Sequence, residues 1–240
     1  LSRARCSDQH MVATVVSRFF LPPTCGVCGA PAHVVDLCAP CAAELPWNHH
    51  ACRRCGEPLA RASTAADCRV CRNHHLRFAR AFAPFRYAAP LDRLILRLKS
   101  GHLATGRALG YHLAEATAVF YANLPRPDVV APVPLDRRRM RERGFNHAAR
   151  LSAAIASALD CAHAPRAIRR KPGRLTQKSL SKTLRRQNLK GAFASRVTGR
   201  HVLLVDDVYT AGATAEAAAR AMGNCTVDLV TLARTPSFNR

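Results

Sequence analysis

The chain has 240 residues, 48% of them hydrophobic, enough for one full domain with a packed core and a small one beside it. Its 37 Lys and Arg against 15 Asp and Glu leave a formal charge of +22. That surplus draws polyanions, so the expected partners are nucleic acid, an anionic membrane surface or a polyphosphorylated small molecule, and no segment is long enough to span a bilayer.

Residues 11–24 predict a short amphipathic helix that ends before Pro22-Pro23, with Arg18 interrupting its apolar run. A secretory signal is not expected there, because cysteines with metal-ligand spacing follow and no A-x-A-like cleavage site stands between. Residues 25–75 are rich in cysteine and loops and have too few large apolar residues for a core of their own, so they need a staple. Eight of the 11 cysteines supply one. They form four C-x-x-C pairs: Cys25/Cys28, Cys38/Cys41, Cys52/Cys55 and Cys68/Cys71. Two thiolates at that spacing grip one tetrahedral ion, and four leave no open position for water, so the expected cofactor is structural Zn²⁺. One ion or two would fit. Linear pairing of neighbouring knuckles and crossed pairing both satisfy the spacing. Thiolates kept for zinc imply a reducing compartment, hence a cytoplasmic protein. Cys6, Cys161 and Cys225 stand alone and read as incidental small residues.

Residues 76–90 alternate partly in strand fashion, which divides the chain into a cysteine-rich zinc-binding module over 11–75 and a main domain over 76–240. Leu91, Leu94, Ile95 and Leu98 have a helical period over 91–99, and a second helix is expected from about 104 to 121. Asp128-Val-Val-Ala-Pro-Val-Pro reads as a buried strand that leaves into a loop. Residues 136–144 read as an arginine-rich loop and 146–159 as an Ala-rich helix. The basic stretch 165–192 is poor in large apolar residues, so it is expected to be mobile or ordered by a ligand. A β-prone run over 201–205, a helix over 213–222 and a strand over 227–233 complete the chain. Apolar strands alternating with helices predict an α/β fold with a parallel sheet covered on both faces.

The sharpest local signal is His201-Val-Leu-Leu-Val-Asp-Asp-Val-Tyr-Thr-Ala-Gly-Ala-Thr214. An apolar strand delivers two carboxylates to its C-terminal end, and a turn of small residues then opens a helix. Gly212 permits a tight turn and lets backbone approach a ligand. The helix start offers N–H groups and partial positive charge to a phosphate, while adjacent carboxylates suit the two vicinal hydroxyls of a ribose.

This run resembles the phosphoribosyl pyrophosphate (PRPP) signature of type I phosphoribosyltransferases. The resemblance implies that Asp206 and Asp207, the residues central to catalysis, hold the ribose hydroxyls. It also implies that Thr210, Ala211, Gly212, Ala213 and Thr214 cradle the 5′-phosphate. Together with Ala131-Pro-Val-Pro-Leu135, Arg141-Glu-Arg-Gly-Phe-Asn-His147, Gln177, Arg185-Arg-Gln-Asn-Leu-Lys-Gly-Ala-Phe193 and Leu94-Ile-Leu-Arg-Leu-Lys99, it is similar to the ComF/GntX family over roughly residues 11–235. The chain departs from the family pattern at Ala211, where a second Thr is usual, and at His147, where Gln is usual. The family likeness implies a type I phosphoribosyltransferase fold and adds Lys99 and Arg143 to the PRPP-binding set. The loop after Pro132 would meet the pyrophosphate, Mg²⁺ would ride on it, and 165–192 would serve as a closing loop.

Residues 136–200 carry 18 Lys and Arg against 3 Asp and Glu, more than one small ligand needs. A single-stranded DNA contact is expected across this face, mainly electrostatic, with Phe145, Phe193 and Trp47 as the visible stacking residues. The family's link to natural competence points the same way. Three readings follow: a phosphoribosyltransferase with an unidentified acceptor, a PRPP sensor without turnover, and a DNA-processing factor whose zinc module docks a partner such as a competence helicase.

Overall fold

A computed structural model gives the fold and describes residues 23–60, 66–171, 189, 191–197 and 200–236. Residues 11–22 of the helix expected over 11–24, and most of the basic stretch, 172–188, lie outside the described residues. In chain order the elements begin with two short helices, α1 (Ala39–Ala43) and α2 (Arg69–Asn73), and two strands, β1 (Arg80–Phe82) and β2 (Phe85–Arg86). Helices α3 (Leu91–Lys99) and α4 (Leu103–Phe120) lead to β3 (Val129–Pro132), α5 (Arg137–Arg143), α6 (His147–Leu159) and β4 (Ala162–His163). Then come β5 (Ile168–Arg170), β6 (Phe193–Ser195), β7 (His201–Tyr209), α7 (Ala213–Arg220) and β8 (Thr226–Arg234).

The main sheet has the order β1-β8-β7-β3-β4, with every pair parallel. β2 continues β1 along β8 in the same register, Arg80 facing Asp228 and Phe85 facing Ala233. Pro84, which has no N–H to donate, falls in the gap on this edge. Side chains alternate across β7. Leu203 and Val205 pack with Leu94, Ile95 and Leu98 of α3, Leu109 of α4 and Ile155 of α6. Val202 and Leu204 pack on the opposite face with Phe78 and with Ala215 and Ala218 of α7. Each buried Leu or Ile contributes about 1.5–3 kcal/mol, so the two apolar layers hold β7 and its acids in a fixed plane. This is the parallel sheet flanked by helices that the alternating pattern predicts.

The departures have local causes. Residues 136–144 are not a loop but hold helix α5, because Asp136 accepts from Arg139 N at 2.9 Å and Gly144 ends the helix at φ 74°. None of its residues is buried, so no apolar stripe marks it in the sequence. β7 runs past Val205 through both aspartates to Tyr209, because β8 reaches Arg234 and keeps pairing, Val208 with Ala233 and Tyr209 with Arg234. β4 is an exposed two-residue edge with no sequence signal. At the two ends of the basic stretch, β5 and β6 pair antiparallel, Ile168 with Ser195 and Arg170 with Phe193.

Two cysteine ribbons precede the sheet and share one backbone plan. Cys25 N donates to Ala30 O and Cys52 N to Glu57 O, both at 2.8 Å. Gly29 and Gly56 close the two turns at φ 78° and 67°, the left-handed region that favours glycine. The first ribbon packs with the α3 and α4 face of the sheet, and the second packs with the α7 face. Among the described residues no helix is long and apolar enough to cross a membrane.

Candidate functional site

The cysteines form two tetrads, Cys25–Cys28–Cys38–Cys41 and Cys52–Cys55–Cys68–Cys71, with the ligand atoms in each within 4.8 Å of one another. Neighbouring knuckles pair in order, which removes the crossed alternative. Cys28 Sγ lies 3.6 Å from Cys38 Sγ, and Cys55 Sγ lies 3.6 Å from Cys68 Sγ. A tetrahedron of Zn–S bonds near 2.3 Å has sulfur edges of roughly 3.8 Å, so each tetrad fits one structural zinc ion and the chain fits two. Backbone supports the thiolates of the second tetrad: Cys68 N donates to Cys52 Sγ at 3.2 Å and Cys71 N to Cys68 Sγ at 3.4 Å. The Cys55 thiol, against the penalty of burial and with N–H groups of Cys68, Cys55 and Arg54 helping, draws the Cys52 thiol down to about 5. All four cysteines of the second tetrad are buried, whereas Cys28 of the first is exposed.

At the far end of β7 the two acids have unlike surroundings. Asp207 Oδ2 lies 2.8 Å from Lys99 Nζ, at the end of α3, and 3.2 Å from His147 Nε2, at the start of α6. Arg143, at the end of α5, places its guanidinium 3.2 Å from His147 Nδ1. A guanidinium only donates, so Nδ1 accepts, and the ring proton sits on Nε2, aimed at Asp207. Burial alone pushes the Asp207 carboxyl up, but the His147 N–H and the Lys99 charge outweigh it and hold Asp207 below the ordinary carboxylate range. Burial, and then the Asp207 charge, push Asp206 well above that range. The pair is therefore split, Asp207 held toward its charged form and Asp206 pushed toward its protonated form. Such a pair offers both an acceptor and a donor to neighbouring hydroxyls.

The turn beyond β7 places Thr210 and Ala211 in the open and Gly212 at φ 74°. A Cβ at 212 would lie 2.6 Å from the Tyr209 ring, so close approach and backbone angle both require glycine. Ala213 and Thr214 open α7, and Gly212 brings no side chain to cap its first turn. The starts of α4, α5 and α6 are instead capped by His102, Asp136 and Asn146. A backbone turn leading into a helix start that no side chain caps is suited to an anion.

The structure thus brings Lys99, Asp206, Asp207 and residues 210–214 to one end of the sheet, with Arg143 one step back behind His147. The Arg-rich helix α5 lies along the chain to this end, with Arg137, Arg138, Arg139 and Arg141 exposed. Sequence reasoning gave no role to the His147 side chain, and the buried pair of Arg234 and Glu57, whose Nη2 and Oε2 lie 2.6 Å apart, was missed outright. For His147 no local signal exists, because Arg143 ends one helix and His147 opens the next, with Gly144 breaking between them. For Glu57 and Arg234 no local pattern exists.

Comparison with known proteins adds three likenesses. Residues 16–72 match the family described as Double zinc ribbon domain. The chain is 32% identical over 225 residues to the "DNA utilization protein YhgH" of Salmonella typhi, covering 90% of this chain and 98% of that one. It is 32% identical over 200 residues to the "Competence protein F" of Haemophilus influenzae, covering 79% and 86%. A solved structure of "the allosteric regulatory enzyme of purine biosynthesis" overlays with a TM-score of 0.33 at 21% identity, over 53% of this chain and 25% of that one.

Proposed function

The chain belongs to the ComF/GntX family, that of competence protein F and the DNA utilization protein YhgH, and as the function of this member we propose PRPP binding at the end of β7, with residues 76–240 as the binding domain and 11–75 as a zinc-stapled module. One observation carries the reading: the acid pair sits one turn before a helix start that no side chain caps, with Asp207 in contact with Lys99. Asp206 and Asp207 would hold the ribose hydroxyls, and residues 210–214 would meet the 5′-phosphate. Lys99, beside Asp207, would face the pyrophosphate, on which Mg²⁺ would ride. In transfer, the bond from ribose C1 to pyrophosphate breaks, the pyrophosphate leaves with the electron pair, and an acceptor nucleophile bonds to C1. The protein's share is positioning and electrostatic support.

Heating the zinc-loaded protein with and without PRPP and Mg²⁺ tests the binding. At a hundredfold excess over Kd the ligand should add about 2.7 kcal/mol, which raises Tm by roughly 5–10 °C. No shift by a protein holding two zinc ions would count against the reading. Pyrophosphate release on adding acceptor bases then separates a transferase from a sensor that binds without turnover.

A second reading, single-stranded DNA binding in the cytoplasm, is favoured by α5, whose five arginines line a helix with no buried residue. Phe145 lies beside it under the Arg150 guanidinium, 4.6 Å from the ring centroid. Five phosphate contacts predict that affinity for an oligonucleotide falls roughly a hundredfold between about 50 and 200 mM salt. A flat salt response would sink it. A competence helicase docked on the zinc module belongs to the same reading, and capture of that helicase by the zinc-loaded full chain tests it.

A further inference from the structure

Arg234, the last residue of β8, is 6% exposed and touches two regions far apart in the chain. Its Nη1 donates to Tyr209 O at 2.9 Å, to Thr210 O at 2.7 Å and to Thr235 O at 2.7 Å. Its Nη2 lies 2.6 Å from Glu57 Oε2. Its guanidinium stands 4.4 Å over the Tyr209 ring, and that ring lies directly under Gly212. One side chain therefore holds the carbonyls that enter the anion-binding turn and the ring on which the turn rests.

Glu57 is itself 6% exposed and is fixed from the zinc side. It follows Gly56 in the turn of the Cys52–Cys55 knuckle, and its carbonyl accepts from Cys52 N at 2.8 Å. Asn48 ties the same turn to the sheet edge, donating to Gly56 O at 2.9 Å and Ala83 O at 3.1 Å. Buried charges are stable only when paired and hydrogen-bonded. The Glu57 carboxylate matches the Arg234 charge and takes Nη2, which leaves Nη1 aimed at the Tyr209 and Thr210 carbonyls. Those carbonyls belong to the peptide planes leading into residues 210–214, so the side-chain pair sets where the following N–H groups point. In the first ribbon the equivalent position is Ala30, which is exposed.

We propose that Glu57 and Arg234 are positioning residues for the phosphate loop, through which the second zinc ribbon sets the loop's conformation. The phosphorylated ligand in this proposal rests on the PRPP reading, whereas the link from ribbon to loop does not. The test uses the full zinc-loaded chain, wild type, Glu57→Gln and the double variant Glu57→Leu/Arg234→Met. The double variant leaves no buried charge unpaired, which keeps the fold. Amide exchange is followed over 209–214 and, as internal control, over α3, and PRPP with Mg²⁺ is titrated by calorimetry. Both variants should keep two zinc ions and wild-type exchange in α3. Residues 209–214 should exchange about tenfold faster and Kd for PRPP should rise about tenfold, the loss of one charge-assisted hydrogen bond. Unchanged exchange over 209–214 in the double variant would overturn the proposal. So would equal acceleration in α3, which is general loosening, or loss of zinc, which would mean that the pair holds the ribbon and not the loop. If wild type binds no PRPP, the ligand reading fails, and exchange over 209–214 still decides the link.

Discussion

The first ribbon reaches α3 and α4 through Gly26 O, which accepts from Arg97 at 2.5 Å, and through Asp36, paired with Arg107 at 3.0 Å. The second ribbon, built on the same turn and the same bridge (Thr24 with Pro31 in one, Ala51 with Pro58 in the other), reaches the turn after β7 through Glu57. One ribbon thus steadies the helix that carries Lys99, and the other steadies the loop that opens α7. Cysteine spacing sets the geometry of a staple, but the residues between the cysteines decide what it holds. Exchange of Ala for Glu at one position separates a surface turn from a buried strut.

The largest effect should come from breaking the tetrads themselves. A structural zinc site is worth about 10–16 kcal/mol in small domains, so Cys55→Ser in the fully buried tetrad should lower Tm by roughly 10 °C or more. Cys28→Ser, at the exposed corner of the first tetrad, should cost less, and metal analysis should find one zinc ion in each variant. Equal losses of Tm would erase the distinction between the two ribbons.

On the Lys99 side of the site, His147→Ala removes the N–H that Asp207 accepts and should weaken PRPP binding roughly tenfold. His147→Gln restores a donor and should stay within about threefold of wild type. Calorimetry of the two variants checks this, and equal loss in both would show that the ring does more than donate. Smaller still, Ala30→Glu should move neither Tm nor amide exchange over 209–214, because its position is exposed and no arginine waits for it. A change in that exchange would contradict the specific role given to Glu57.

The acids add a pH signature. Asp207 is held below its unfolded value, so its stabilisation is present above the unfolded pKa and is lost as pH falls through the folded one, on the acid side. Asp206 is raised, so its stabilisation is present below the unfolded pKa and is lost as pH rises through the folded one. Asp206→Asn should therefore raise Tm of the ligand-free protein at neutral pH while harming PRPP binding. A lower Tm at neutral pH would show that this acid is charged and paired.

Much of this was legible from residues 201–214, where an apolar run, two acids and a glycine turn announce strand, site and helix in register. The cysteines announced zinc, but spacing alone left pairing and stoichiometry open, since only the folded turns bring Cys28 to Cys38 and Cys55 to Cys68. Helix α5 hid because it buries nothing, and periodicity reports burial. Glu57 and Arg234 hid because their partnership is purely tertiary: an acid in a cysteine turn and an arginine at the end of the last strand meet only when the ribbon is docked. His147 hid for a related reason, since its role depends on Asp207 arriving from β7.

The central claim is that the acid pair of β7 binds PRPP, and calorimetric titration of the two-zinc protein with PRPP and Mg²⁺, beside Asp207→Asn, addresses it most directly. Wild type should bind saturably. Asp207→Asn, which leaves Lys99 and His147 without their shared carboxylate, should bind about a hundredfold more weakly or not at all, as expected when one partner of a buried ion pair is removed. Wild-type heat absent at saturating ligand, or equal affinity in the variant, would contradict the account.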